Sequence, residues 1–145
     1  MRRAMSLSAY VKKRNGVALG APGAMGNMFK RAFGAGSFDA FWHYWNPIWG
    51  YYLSRKVMKP LRKRLPDGLA LVLTFAVSGA LHDVAITLVK WQFTFLLTPW
   101  FFLMGLIVLM TKIWGIGYHG QGLLVRAAIN LSLIVGALAV TRQLV

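Results

Sequence analysis

The chain has 145 residues, no cysteine, a mean hydropathy of +0.54 and a formal net charge of +14. So apolar a composition excludes an ordinary soluble domain, and the missing cysteine excludes disulfides, thiolate metal sites and a cysteine nucleophile. The charge on its own would suggest nucleic acid, but thirteen of the seventeen Lys and Arg residues precede Pro66, which is the positive-inside asymmetry of a membrane protein.

Residues 1–36 alternate basic clusters (Arg2 and Arg3; Lys12, Lys13 and Arg14; Lys30 and Arg31) with a glycine-rich stretch. The Gly20 to Gly26 run has no strand pattern before it and no Gly-Lys-Ser/Thr after it, so it does not read as a phosphate loop. A loose or surface-bound basic cytoplasmic arm is expected instead, drawn to anionic headgroups by about 1 kcal/mol per charge near the surface. No apolar run follows the basic start, so no signal-peptide pattern is visible.

The composition changes at Ser37, and residues 37–145 read as one membrane domain. Residues 38–53 hold most of the tryptophan and tyrosine, on all sides of a helix, which predicts an interfacial or re-entrant helix. Pro47 suits the first position of a new helix and disfavours helix in the residue before it, so Asn46 is expected at a junction, as the cap of the helix that Pro47 opens. Three apolar segments, 69–89, 93–110 and 123–140, approach the roughly 20 residues needed to cross a bilayer. The expected fold is therefore an all-α, multi-pass integral membrane protein. It has about three spans, an N-terminus in the cytoplasm and a C-terminus outside.

Within 69–89, Thr74, Ser78 and His82 recur every four residues and share one helix face, with Asp83 next to the histidine. Ionisable groups at such depth face a bundle interior or an aqueous cavity and mark function by default. Pro99 falls in the second apolar segment and Asn130 in the third, where it is expected to bond to another helix. The three histidines, His43, His82 and His119, have none of the short spacings of zinc or copper ligands, so no metal and no cofactor is expected.

The segment Phe41-Trp42-His43-Tyr44-Trp45-Asn46-Pro47, with Lys59-Pro60 after it and Thr74 through Ser78-Gly79-Ala80-Leu81-His82 further on, resembles the membrane-bound O-acyltransferase superfamily. The motif style is nearest the sterol and diacylglycerol acyltransferase and wax synthase branch. The resemblance covers the C-terminal half of that family's pattern, and relatives are several times longer with more spanning helices. Asp83 stands where relatives often carry glycine or glutamate. The resemblance implies acyl transfer from acyl-coenzyme A to a hydroxyl of a lipidic acceptor, with His82 as general base and Asn46 orienting the acceptor or stabilising the oxyanion. Trp42, Trp45, Ser78 and Asp83 would bind substrate or orient the imidazole. Membrane lipids and further copies or a partner membrane protein would complete the site. The alternative is a non-catalytic membrane subunit that keeps the helices for assembly.

Overall fold

The computed structural model of the chain describes residues 3–145. Arg2, of the first basic cluster, lies outside them. Among the described residues every regular element is helical: α1 (Leu7–Asn15), α2 (Ala24–Phe33), α3 (Phe38–Tyr44), α4 (Pro47–Leu53), a π-helical turn (Ser54–Met58), α5 (Lys59–Arg62), α6 (Asp67–Lys90), α7 (Leu97–Ile113) and α8 (Leu123–Leu144). Two of them, α6 and α8, are long and apolar enough to cross a membrane.

The glycine-rich lead-in is not loose chain. Its glycines punctuate helices: Gly16 (φ 79°) ends α1, Gly23 (φ 77°) precedes α2, and Gly34 follows α2. The first two hold left-handed backbone that glycine adopts without strain. Asn15 donates to the Ala24 carbonyl at 2.9 Å and Asn27 to the Asn15 carbonyl at 3.1 Å, tying α1 to α2. Ser37 then caps α3 through the Ala40 N–H at 3.1 Å.

α3 carries Phe38 and Phe41, both fully buried, into the centre of the fold. Around them Phe33, Trp42 and Trp45 pack edge-to-face or stacked, and Trp42 meets Phe75 of α6 at 5.3 Å with perpendicular rings. Each such pair adds about 0.5–1.5 kcal/mol beyond the area it buries. The aromatic segment is thus a packed core as well as a surface band.

α6 and α7 form a tight antiparallel hairpin, which small residues permit. A Cβ on Gly105 would lie 2.9 Å from Phe75 Cβ, and one on Gly79 only 2.8 Å from Thr98 Cα. α7 begins at Leu97, where the apolar run begins at Phe93, so it is a 17-residue helix and shorter than α6 or α8. The reason lies in its first turn. Asp83 accepts from the Leu96, Leu97 and Thr98 N–H groups at 3.2, 2.9 and 2.7 Å, and Pro99 has no N–H to satisfy. Pro99 therefore starts a helix and breaks no hydrogen-bond ladder.

α8 is fastened in its N-terminal third by Asn130. Its amide donates to the Phe33 and Ala35 carbonyls at 3.2 and 3.1 Å, and its oxygen accepts from the Tyr118 hydroxyl. Higher up, Trp100 Nε1 donates to the Ile134 carbonyl at 3.1 Å. The outward side of α8 stays apolar and open, with Leu124 84% exposed and Val135 53%.

Candidate functional site

A groove of about 890 Å³ runs between α3 and α4 on one side and α6 and α7 on the other, with Leu131 and Ile134 of α8 along its edge. Trp42, Trp45, Asn46, Ser78 and His82 all line it. The polar stripe of α6 faces this space, and Thr74 closes its own hydroxyl onto the Ala70 carbonyl at 2.7 Å.

His82 is half-buried, between Trp49 (ring centroids 5.7 Å apart, 83° between planes) and Phe101 (5.2 Å, 32°). Its Nδ1 lies 2.6 Å from the Ser78 carbonyl oxygen. A carbonyl only accepts, so Nδ1 carries the hydrogen of the neutral ring and Nε2 keeps the lone pair. Nε2 has no protein partner among the described residues. A ring fixed through Nδ1 and open at Nε2 is the state a general base requires.

Asn46 occupies the turn between α3 and α4 with φ 43° and ψ 70°, a left-handed conformation that asparagine tolerates better than most residues. Its Oδ1 caps α4 by accepting from the Trp49 N–H at 3.2 Å. The side-chain NH₂ has no protein partner among the described residues, so two donors remain for a ligand in the groove. Strained backbone of this kind clusters at binding and active sites. The π-helical turn after α4, ahead of Pro60, is another local irregularity frequent at such sites, and its Ser54 and Met58 also line the groove.

Asp83 does not join His82. All four of its hydrogen bonds go to the start of α7, so the imidazole is oriented by the Ser78 carbonyl and the flanking rings. The side chain of Asp83 is buried against α7, on a different face of α6 from the groove.

The far end of the groove is charged. Arg14, Arg62 and Lys112 line it together with Asp39, His43 and Asp67. Arg62 pairs with Asp67 at 2.9 Å, and Lys112 lies 4.0 Å from Asp39. The hydrogen bond from His43 holds the Asp39 carboxyl below the usual carboxylate range, with Lys112 and Arg14 adding to it against the opposing effect of burial. Asp67 and His82 are fifteen residues apart on α6, so charged end and imidazole are separated by about 22 Å along the axis at the rise of an α-helix. Among the described residues no group of three His, Asp, Glu or Cys side chains stands together as a metal site.

Trp49, Trp100, Phe101 and Met104 belong to none of the motifs that suggest a site, yet they line the groove with His82. Trp49 has one visible signal, since Trp42, Trp45 and Trp49 fall three and four residues apart, the spacing of one helix face. The α7 residues have none, since an aromatic in an apolar helix reads equally well as facing lipid. Compared with family models, curated proteins and solved structures, the chain matches none.

Proposed function

We propose that the chain is a multi-pass membrane protein of the membrane-bound O-acyltransferase type, moving an acyl group from acyl-coenzyme A to the hydroxyl of a lipidic acceptor. The observation that carries this reading is His82: an imidazole fixed through Nδ1, open at Nε2, and lining the same aromatic groove as Asn46. His82 takes the acceptor's proton as its oxygen attacks the thioester carbonyl. The Asn46 NH₂ stabilises the oxyanion that forms. Collapse of that intermediate forms the ester and expels the coenzyme A thiolate, which takes the proton back from His82. The coenzyme phosphates sit by Arg14, Arg62 and Lys112, and an extended pantetheine arm bridges the distance to His82.

In this reading α6, α7 and α8 cross the bilayer, with the Lys- and Arg-rich N-terminal region cytoplasmic. The open apolar side of α8 meets lipid, a second copy or a partner membrane protein. That same face favours the second reading, a subunit kept for assembly alone. The deciding experiment is thiol release from acyl-coenzyme A by the detergent-purified chain across a panel of hydroxyl lipids. Acceptor-dependent release that falls by about 10² to 10⁴ in His82→Ala supports the catalyst. Release at the level of the blank, or unchanged in His82→Ala, leaves the assembly subunit.

A further inference from the structure

The two groups on which the proposed chemistry turns stand on different elements, Asn46 before α4 and His82 two-thirds of the way along α6. One residue touches both. The Trp49 backbone N–H is the group that the Asn46 oxygen caps, at 3.2 Å. Its indole N–H donates to Ser78 Oγ at 2.9 Å, and its ring stands nearly perpendicular to the imidazole of His82, with centroids 5.7 Å apart. Ser78 in turn supplies the carbonyl that holds His82 Nδ1.

We propose that Trp49 is the positioning residue of the site, setting the distance and orientation between the Asn46 amide and the His82 imidazole. The inference rests on the reading of this groove as an acyl-transfer site, and it assigns Trp49 no contact with the reacting atoms. An indole suits the task because a single rigid side chain provides a wall and a directed donor at once, with only two rotatable bonds to fix. Phenylalanine preserves the wall and loses the donor. Alanine loses both.

On the other side of the imidazole stands Phe101, at 5.2 Å and tilted by 32°. With Trp49 present the ring is flanked on two sides. Without Trp49 one side opens, and the Nδ1 bond to the Ser78 carbonyl competes with other rotamers. The consequence is a base whose lone pair points into the groove for only part of the time, so turnover falls while substrate binding, governed by the rest of the groove, is preserved.

The test has two arms. In the first, the full chain is labelled with ¹⁵N-histidine in detergent. There are three histidines, and the His82 signals are assigned by their loss in His82→Gln. The wild type is expected to show His82 as a single Nδ1–H tautomer, Trp49→Phe a mixed population, and Trp49→Ala exchange-broadened or averaged ring signals. In the second, kcat and KM are measured for acyl transfer. Trp49→Phe and Ser78→Ala are each expected to lower kcat about tenfold with KM unchanged, and the double variant to be no slower than either one, as for two partners of one interaction.

His82 signals in Trp49→Ala and Trp49→Phe that match the wild type overturn the proposal whatever the activity. So does a double variant whose losses multiply. A wild type inactive on every acceptor, with the tautomer shift still present, removes the acyl-transfer reading and leaves the positioning of His82 by Trp49 standing. Should Trp49→Ala fail to fold, Trp49→Phe carries both arms.

Discussion

Asp83 Oδ2 accepts from both the backbone N–H and the hydroxyl of Thr98, at 2.7 and 2.6 Å, while Oδ1 takes the N–H groups of Leu96 and Leu97. A carboxylate on α6 thereby caps α7 from outside it. The first turn of a helix presents unpaired N–H groups and a partial positive charge, and a negative side chain answers both. Pro99 completes the arrangement by having no N–H to leave unpaired.

Asp83→Ala is expected to destabilise the α6–α7 hairpin by about 3 kcal/mol, the scale of charge-assisted hydrogen bonds lost with their donors still buried. Asp83→Asn, which retains one acceptor oxygen, should fall between wild type and alanine. Thermal or denaturant unfolding in detergent micelles measures the loss. If Asp83→Ala unfolds with the wild type, the capping role assigned to this carboxylate does not hold.

How much of the fold and the groove is legible in the sequence depends on the reach of each interaction. The Thr74, Ser78, His82 stripe is a local periodicity, and the face it predicts does line the groove. The Asn46 cap is equally local, since Pro47 announces it. The start of α7 is hidden because residues 93–96 are as apolar as those after them, and the group that defines the boundary is an aspartate thirteen residues back. The lead-in reads as loose because glycine content hides position: Gly16 and Gly23 lie at helix ends, where their conformational freedom serves the chain reversal. That Asn130 bonds across the fold is implied by its place in an apolar helix. That its partners are the last carbonyls of α2 and the turn after it is not.

Asn130 is fully buried, and its three hydrogen bonds join α8, the turn after α2 and the loop before α8. Asn130→Ala strands two carbonyls and a phenol, and is expected to remove about 2–4 kcal/mol. Because those carbonyls close α2, hydrogen–deuterium exchange should rise first in residues 24–37. Exchange that rises in α8 alone, with α2 as protected as before, would contradict the role given to Asn130.

Burial pushes the Tyr118 phenol from its ordinary value of 10.0 up to about 12. Below pH 10 the group is protonated in both folded and unfolded chains, so it adds no pH dependence there. Between about 10 and about 12 the unfolded chain ionises first, and the stability held through Tyr118 is lost as pH rises. An alkaline titration of tyrosinate absorbance should therefore contain a component near 12 that Tyr118→Phe removes. Were the Tyr118→Phe titration superimposable on the wild type, the phenol would not be in the buried state described.

Two glycines in apolar helices make opposite predictions. A Cβ on Gly79 would run into the Leu97 carbonyl and lie 2.8 Å from Thr98 Cα, both backbone atoms of α7 that cannot swing aside, whereas one on Gly136 of α8 meets nothing within 4 Å. Gly79→Ala must push α7 away, and α7 carries Phe101, one of the rings against His82, as well as the N–H groups that Asp83 holds. Overpacking of this kind costs about 1–3 kcal/mol, and the larger Gly79→Val should exceed that range. Gly136→Ala relieves an entropic penalty of helical glycine and should be neutral or stabilising by up to about 1 kcal/mol. The displacement of α7 also moves one wall of the groove, so Gly79→Ala should slow acyl transfer as well as lower the unfolding midpoint, while Gly136→Ala should do neither. Equal unfolding midpoints for the two alanine variants would mean that α6 and α7 are not in backbone contact at Gly79, and the close hairpin that sets the Phe101 wall beside His82 would have to be abandoned.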